Sequence, residues 1–495
     1  MRMSIFEYAP APESRDVVSI APTYDHFIGG KFMASKSGKR FATINPATEE
    51  VLSKVALGNA ADIDAAVKAA RSAYTKVWSK MPAKERGKYL YRIARLMQER
   101  AREFAVLETL DNGKPIRETR DTDVPLAIQH FFYHAGWADK LEYAGLGENP
   151  QPHGVAGQII PWNFPLLMLA WKVAPALATG NTVVLKPAET TPLTALLFAQ
   201  VCIDAGLPAG VVNIVTGDGK TGAALVSHPG IDKIAFTGST EVGKSIARAL
   251  SGTDKALSLE LGGKGANIVY EDAPLDQAVD GIVNGIFFNQ GHVCCAGSRL
   301  LVQESIHDLL IEKLQRRMEQ IRIGDPMDKN TDLGAINSKA QLEKIEELTQ
   351  AGRDEGAKPW QPSCSLPGNG FWFRPTIFTN VSGAHRIARE EIFGPVLAVL
   401  TFRTPAEAIA KANNTPYGLS AGVWTEKGSR ILWTAKRLKA GVIWANTFNK
   451  FDAASPFGGY KESGWGREGG RHGLLPYIRH AISRETTKSG KGGKR

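Results

Sequence analysis

Between residues 155 and 260, five short apolar runs alternate with four stretches of helical periodicity. The runs fall at 155–160, 182–186, 211–215, 233–236 and 257–260, and the helical stretches at 166–178, 191–205, 221–227 and 241–250. Runs this short, rich in Val, Ile and Leu and apolar almost throughout, suit strands buried on both faces. Joined by helices, they predict a parallel, doubly wound sheet of Rossmann-like type. Such a sheet also says where a ligand belongs, at the carboxyl ends of its strands.

A second alternating series follows. It has a helix over 276–288, a strand over 300–303, a helix over 306–321, and strands near 375–379, 395–402, 421–424 and 442–444. This predicts a second α/β domain. Upstream, helices are expected over 62–78, 84–109 and 124–141, the second stopped by Asn112-Gly113-Lys114-Pro115. Strand-like pieces surround Gly29-Gly30, and residues 1–20 read as a loose arm. The Gly-rich, charged stretch 458–470 reads as a separator before a last strand-like piece over 475–484.

The length of 495 residues allows about three domain-sized units. Four cysteines, two of them adjacent, make no disulfide framework and point to a reducing compartment, with a cytoplasmic location expected. Residues 1–12 carry Arg2 and Glu7 and lack the apolar core of a secretory signal. The most apolar region, 155–185, is interrupted by Pro161, Pro165, Lys172, Pro175 and Gly180, so it reads as a domain interior and not as a membrane span. Net charge is +10, but residues 484–495 alone supply Arg484, Lys488, Lys491, Lys494 and Arg495 against Glu485. No basic stripe interleaved with aromatics remains, which argues against nucleic acid as a partner.

Several stretches can carry chemistry. Residues 285–299 read GIFFNQGHVCCAGSR, with Cys294 and Cys295 just past an Asn289-Gln290-Gly291 turn. Free backbone N–H groups there can stabilise a thiolate or an oxyanion, whereas most free cysteines are buried small hydrophobes. Residues 217–222 match G-x-G-x-x-G, but no acidic residue ends a strand about twenty residues on. The turn 236–240, FTGST, ends in a helix with Gly243 and is the better pyrophosphate turn, because small residues there leave backbone donors open. Lys186 and Glu189 follow a buried strand and suit ribose hydroxyls; a carboxylate there leans towards NAD over NADP, and a surface ion pair is the plain alternative. Glu260 ends the fifth strand among apolar residues, where a raised pKa would suit a general base, unless it faces water. Asn163 sits in the strand-to-helix turn 159–165 and either satisfies its own backbone or donates to an oxyanion.

Taken together, these stretches resemble the NAD(P)-dependent aldehyde dehydrogenase superfamily. The match lies in PWNFP (161–165), KPAE (186–189), FTGST (236–240), LELGGK (259–264), FFNQGHVCCAGSR (287–299), EEIFGPV (390–396) and PFGGYKESG (456–464), in the family's order and spacing. The resemblance implies an NAD-binding domain from 1–130 and 152–261, a catalytic domain from 262–470, and a small β bridging arm for oligomerisation from 131–151 and 471–487. Residues 488–495 are left as a disordered basic tail. It also implies Cys294 as nucleophile, Glu260 as general base and Asn163 as oxyanion donor. Lys186 and Glu189 would meet the adenine ribose, and Gly238, Ser239 and Gly243 the pyrophosphate, leaving 217–222 as a decoy. Trp162, Glu391 and Phe393 would face the nicotinamide end. No metal is expected.

The reaction implied is oxidation of an aldehyde to its acid with NAD, with NADP left open, in a homodimer or homotetramer that binds neither nucleic acid nor membrane. Glu260 favours hydrolysis over acyl transfer to coenzyme A, because the acylating branches generally lack that base. An acylating semialdehyde dehydrogenase and an inactive binding member are the alternatives. The tunnel positions Phe164, Met168, Trp171, Phe288, Phe451 and Phe457 make an apolar tube for aliphatic or aromatic aldehydes, less suited to a quaternary ammonium. Asn449 would add a polar group at its mouth, and Leu126 would close its wall. One residue departs from the pattern. His292 stands where the family usually has Gln or Glu, and it would either move the thiol pKa or replace that residue structurally.

Overall fold

The computed structural model describes residues 9–145, 147 and 149–479. The five expected strands form at Val155–Ile159, Thr182–Lys186, Val212–Ile214, Lys233–Thr237 and Ala256–Glu260, and all five are parallel. Every residue of the first four is buried, as helices on both faces require. In space the order runs Ala256–Glu260, Lys233–Thr237, Val155–Ile159, Thr182–Lys186, Val212–Ile214. The direction of winding therefore reverses between Val155–Ile159 and Lys233–Thr237, which opens a crevice at their carboxyl ends. Antiparallel strands extend the sheet at both edges: His26–Ile28 and Lys31–Met33 on one side, Gly464–Trp465 on the other.

The second sheet runs Lys358–Trp360, Thr376–Thr379, Val396–Phe402, Arg299–Gln303, Ala266–Val269, Ser420–Trp424, Val442–Ala445, parallel except for the first. One of its inner strands, Ala266–Val269, is absent from the sequence reading. A buried Asn267 interrupts that apolar run, and its Oδ1 is satisfied by Trp424 Nε1 at 2.8 Å.

Other boundaries moved for local reasons. The helix expected over 84–109 is two helices, Ala83–Glu99 and Ala101–Asn112, because Arg100 leaves helical geometry (φ −102°, ψ 16°) while its guanidinium closes on Glu103 at 2.7 Å. The second ends where expected. Gly113 is left-handed at φ 93°, and a Cβ there would lie 2.9 Å from the Ala335 carbonyl oxygen. The arm expected to be loose is pinned from residue 9 onward, with Glu13 N donating to Met327 O (2.8 Å) and Lys329 N to Ala11 O (3.1 Å). Residues 1–8 lie outside the described part.

The stretch 458–470 is no separator. It adds Gly464–Trp465 to the edge of the first sheet, beside Glu260, and pairs Phe457 with Glu468. The helix expected over 124–141 spans Val124–Trp137 and packs on Pro165–Ala178, so the first residues of the expected arm, 131–137, belong to that helix; Phe131 is fully buried. After it, Gln151–Pro152 pairs antiparallel with Ile478–Arg479. The remainder of the last expected strand and the basic tail, 480–495, lie outside the described residues. Among the described residues no helix is long and apolar enough to cross a membrane.

Candidate active site

The crevice of the first sheet faces the second sheet, and the loops that end the strands meet there. One cavity takes in every candidate site residue except Lys186, Glu189 and Gly243. Leu126 closes its wall as expected, while Asn449 lies outside it and donates to Asn284 O at 3.0 Å.

The cysteine loop enters by a costly turn. After the helix Leu275–Phe287, Asn289 (φ 49°, ψ 41°) and Gln290 (φ 53°, ψ 26°) are both left-handed, and Gly291 follows at φ 74°. Two non-glycine residues in that region each cost about 1–2 kcal/mol, so their surroundings must hold them. Asn289 N donates to Glu118 Oε2 (2.9 Å), and Asn289 Nδ2 donates to Asn163 O (2.7 Å). Gln290 is clamped from both ends, by Ala335 O (3.1 Å) and Gly334 N (3.2 Å). A Cβ at Gly291 would lie 2.1 Å from Gly394 O, so only glycine fits. The turn delivers Cys294 to the cavity wall and buries Cys295 behind it.

The Cys294 thiol is held well above its ordinary pKa, first by its hydrogen bond with Cys295 and then by burial. It therefore rests as a thiol. The backbone N–H of Cys295 favours the thiolate but is outweighed, and the donors here come from a tight turn closed by Ala296 N to Val293 O (3.0 Å) and not from a helix N-terminus.

Two polar groups face the same space. Asn163 Nδ2 donates one hydrogen bond to His292 O (2.7 Å), which leaves its second N–H unused. Both carboxyl oxygens of Glu260 are buried without a partner. Burial, followed by the charge of Glu468, pushes its pKa well up, and Lys172 opposes this. That is the direction expected of a carboxyl group in an apolar site.

The cofactor side fits a dinucleotide by its donor set. The helix Thr240–Leu250 points its N-terminus at the cavity, capped by Ser239 on Val242 N (3.3 Å), and Gly238 presents bare backbone beside it. At Gly243 a Cβ would meet Leu261 Cδ2 at 2.4 Å, so glycine lets this helix lie close against the strand ending in Glu260. Lys186, the last residue of its strand, pairs with Glu189 at 3.2 Å. Glu391 accepts from Gly263 N at 2.8 Å, and burial pushes its pKa up. The turn 217–222 has its polar groups engaged: Asp218 caps its own helix and Thr221 Oγ1 donates to Gly58 O (2.6 Å).

Among the wall residues outside the sequence reading are Gln341, Lys344 and Glu468. Gln341 and Lys344 share a face of the helix Lys339–Asp354, which was not read at all. Glu468 comes from the Gly-rich stretch, ion-paired with Lys172. The one available signal was Lys172 itself, the only charge in an apolar helix.

The chain belongs to the aldehyde dehydrogenase family: the family model "Aldehyde dehydrogenase family" matches residues 32–481. Human retinal dehydrogenase 2 is 47% identical over 464 residues, covering 91% of this chain and 89% of that one. The mitochondrial aldehyde dehydrogenase family 2 member B4 of Arabidopsis thaliana is 47% identical over 462 residues, covering 91% and 86%. The NAD+ complex of a Bacillus cereus aldehyde dehydrogenase superposes with a TM-score of 0.90 at 44% identity, covering 92% and 95%. The protein is thus an NAD-dependent oxidoreductase, and oxidation of aldehydes to carboxylic acids is the general reaction of its family.

Proposed function

We propose that this enzyme oxidises apolar aliphatic or aromatic aldehydes and releases the free acid by hydrolysis, with Cys294 as nucleophile, Asn163 as oxyanion donor and Glu260 as general base. One observation carries the reading. A thiol, an amide with a spare N–H and an unpartnered buried carboxyl open onto a single cavity whose other wall is aromatic.

The thiol of Cys294 passes its proton to a water in the cavity and so to solvent, and its sulfur adds to the aldehyde carbonyl. The oxyanion formed sits between the free Asn163 N–H and the backbone N–H of Cys294. When bound, NAD supplies the oxidation, accepting the hydride that leaves the adduct and so yielding a thioester on Cys294. A water entering the cavity solvates Glu260, lowers its pKa and lets it take the proton as that water attacks the thioester. Acid and free thiol result.

Lys186 and Glu189 hold the adenine ribose, Gly238, Ser239 and Gly243 the pyrophosphate, and Trp162, Glu391 and Phe393 the nicotinamide end. The tube of Phe164, Met168, Trp171, Phe288, Phe451 and Phe457 takes the aldehyde's apolar body. The name of the human relative, retinal dehydrogenase, supports a bulky apolar substrate. The paired Gln151–Pro152 and Ile478–Arg479, with half-exposed Val242 and Trp465, support an oligomerisation surface and a homodimer or homotetramer. All four cysteines are free, which supports a cytoplasmic setting.

An aldehyde panel with NAD, followed by nicotinamide absorbance, tests this. Cys294→Ala should lose all turnover; normal activity in that variant sinks the mechanism. Glu260→Gln should keep a burst of reduced nicotinamide and lose steady turnover about 100-fold or more. A requirement for coenzyme A would show the acylating alternative instead.

A further inference from the structure

His292 lies two residues before Cys294, and the structure shows what its ring touches. The side chain is fully buried, and neither ring nitrogen has a partner. It meets Trp162 edge-on (4.8 Å, 81°) and stacks on Phe393 (5.9 Å, 25°), while Trp162 and Phe393 meet edge-on at 5.3 Å. The three rings close a triangle. Two of its corners, Trp162 and Phe393, face the cavity; His292 lies behind them.

The ring does no acid–base work in this place. Burial first, and then the nearby charge of Lys114, press its pKa down to about 3, so it stays neutral at any working pH. The charges acting on the Cys294 thiol come from Cys295 and Glu391. The backbone carbonyl of His292 serves Asn163, but any residue supplies a carbonyl. Phe393 is held at its carbonyl by Gln341 Nε2 (2.9 Å), and its ring by Trp162 and His292. It is left-handed at φ 57°, a costly conformation for a bulky residue.

We propose that His292 is a positioning residue: its flat ring, and not its basicity, holds Phe393 and Trp162 in the orientation that receives the nicotinamide end of the cofactor. This rests on the proposed placement of that end against Trp162, Glu391 and Phe393.

The test uses full-length His292→Asn, which keeps a polar side chain and removes the ring, and His292→Phe, which keeps a ring and removes the nitrogens. Binding of NAD is measured by calorimetry without aldehyde, and the pH profile of Cys294 alkylation by iodoacetamide without cofactor. His292→Asn should weaken NAD about tenfold, the size of two lost ring contacts, and raise KM for NAD more than it lowers kcat. His292→Phe should recover most of that affinity, and neither variant should move the alkylation midpoint. The inference is overturned if His292→Asn binds NAD like the parent, if Phe fails to recover what Asn loses, or if the midpoint moves by about a unit, the mark of an imidazole acting on the thiol. Thiol alkylation at the parental rate shows that the loop is folded in each variant. A Phe393→Ala arm separates the two layers. If it binds NAD normally, the underlying placement fails; if it weakens NAD while His292→Asn does not, only the role of His292 fails.

Discussion

Lys172 sits in the middle of a helix with no other charge, fully buried, and its Nζ donates to Thr237 Oγ1 (2.6 Å) and to Glu468 Oε1. A buried ammonium is tolerable only with such partners. Replacing it with Met removes the compensating charge from Glu468 and from Glu260, whose pKa it lowers. Lys172→Met should therefore cost about 3–5 kcal/mol in urea unfolding, since it leaves a carboxylate buried and unpaired. A loss under about 1 kcal/mol would mean that the pair contributes no more than an exposed one. The same pair marks how far single residues are legible in a sequence. Asn163, Glu260 and Cys294 each stand at the end of a recognisable strand or turn, so local pattern exposes them. Glu468 lies 296 residues from its lysine, and only the folded topology brings them together.

At the scale of elements, the edge strand Gly464–Trp465 does more than its length suggests. Gly464 pairs with Glu260 itself, is left-handed at φ 113°, and would put a Cβ 2.0 Å from Leu259 O. Its neighbour Ser463 donates from Oγ to Gly262 O at 2.7 Å. Gly464→Ala has no flexible side chain to push aside, so it should displace the strand end that aims Glu260. We expect kcat to fall at least about tenfold with KM for NAD little changed, together with about 2 kcal/mol of destabilisation. Unchanged kcat in steady-state assays would show that Glu260 is held by other contacts. Such strands escape sequence reading for a physical reason. Strands buried on both faces announce themselves as apolar runs, and those were placed within a residue or two. Two residues among glycines have no periodicity, and Ala266–Val269 hides a buried amide.

For the whole molecule, buried histidines set an acid limit. Burial lowers His134 to about 4 from an ordinary value of 6.5, although His130 O lies 2.8 Å from its Nδ1. Between pH 6.5 and 4 the unfolded chain therefore binds a proton that the native state refuses. Stability from this residue is whole above about pH 6.5, is lost as pH falls towards 4, and changes no further below, up to about 3 kcal/mol in all. Asp111, raised to about 7, and Glu118, raised to about 8, act in the opposite sense, losing stability as pH climbs towards those values. A difference measurement isolates the histidine. The Tm of His134→Phe minus that of the parent should be constant above pH 6.5 and rise steadily down to about pH 4. A flat difference would mean that His134 titrates normally.

The edge strand also has a consequence in time. Gly262, two residues past Glu260, waits for Ser463, 201 residues later in the chain. At translation rates of about 5–20 residues per second, that is about 10–40 s in which the first sheet exists without its edge. Cys294 is already synthesised then, but Phe457, Glu468 and the strand that fixes Glu260 are not. A ribosome-bound chain can thus hold most of the cavity wall before Phe457, Glu468 and the edge strand complete it. Residues 457–468 thus act as a built-in delay on completion of the site.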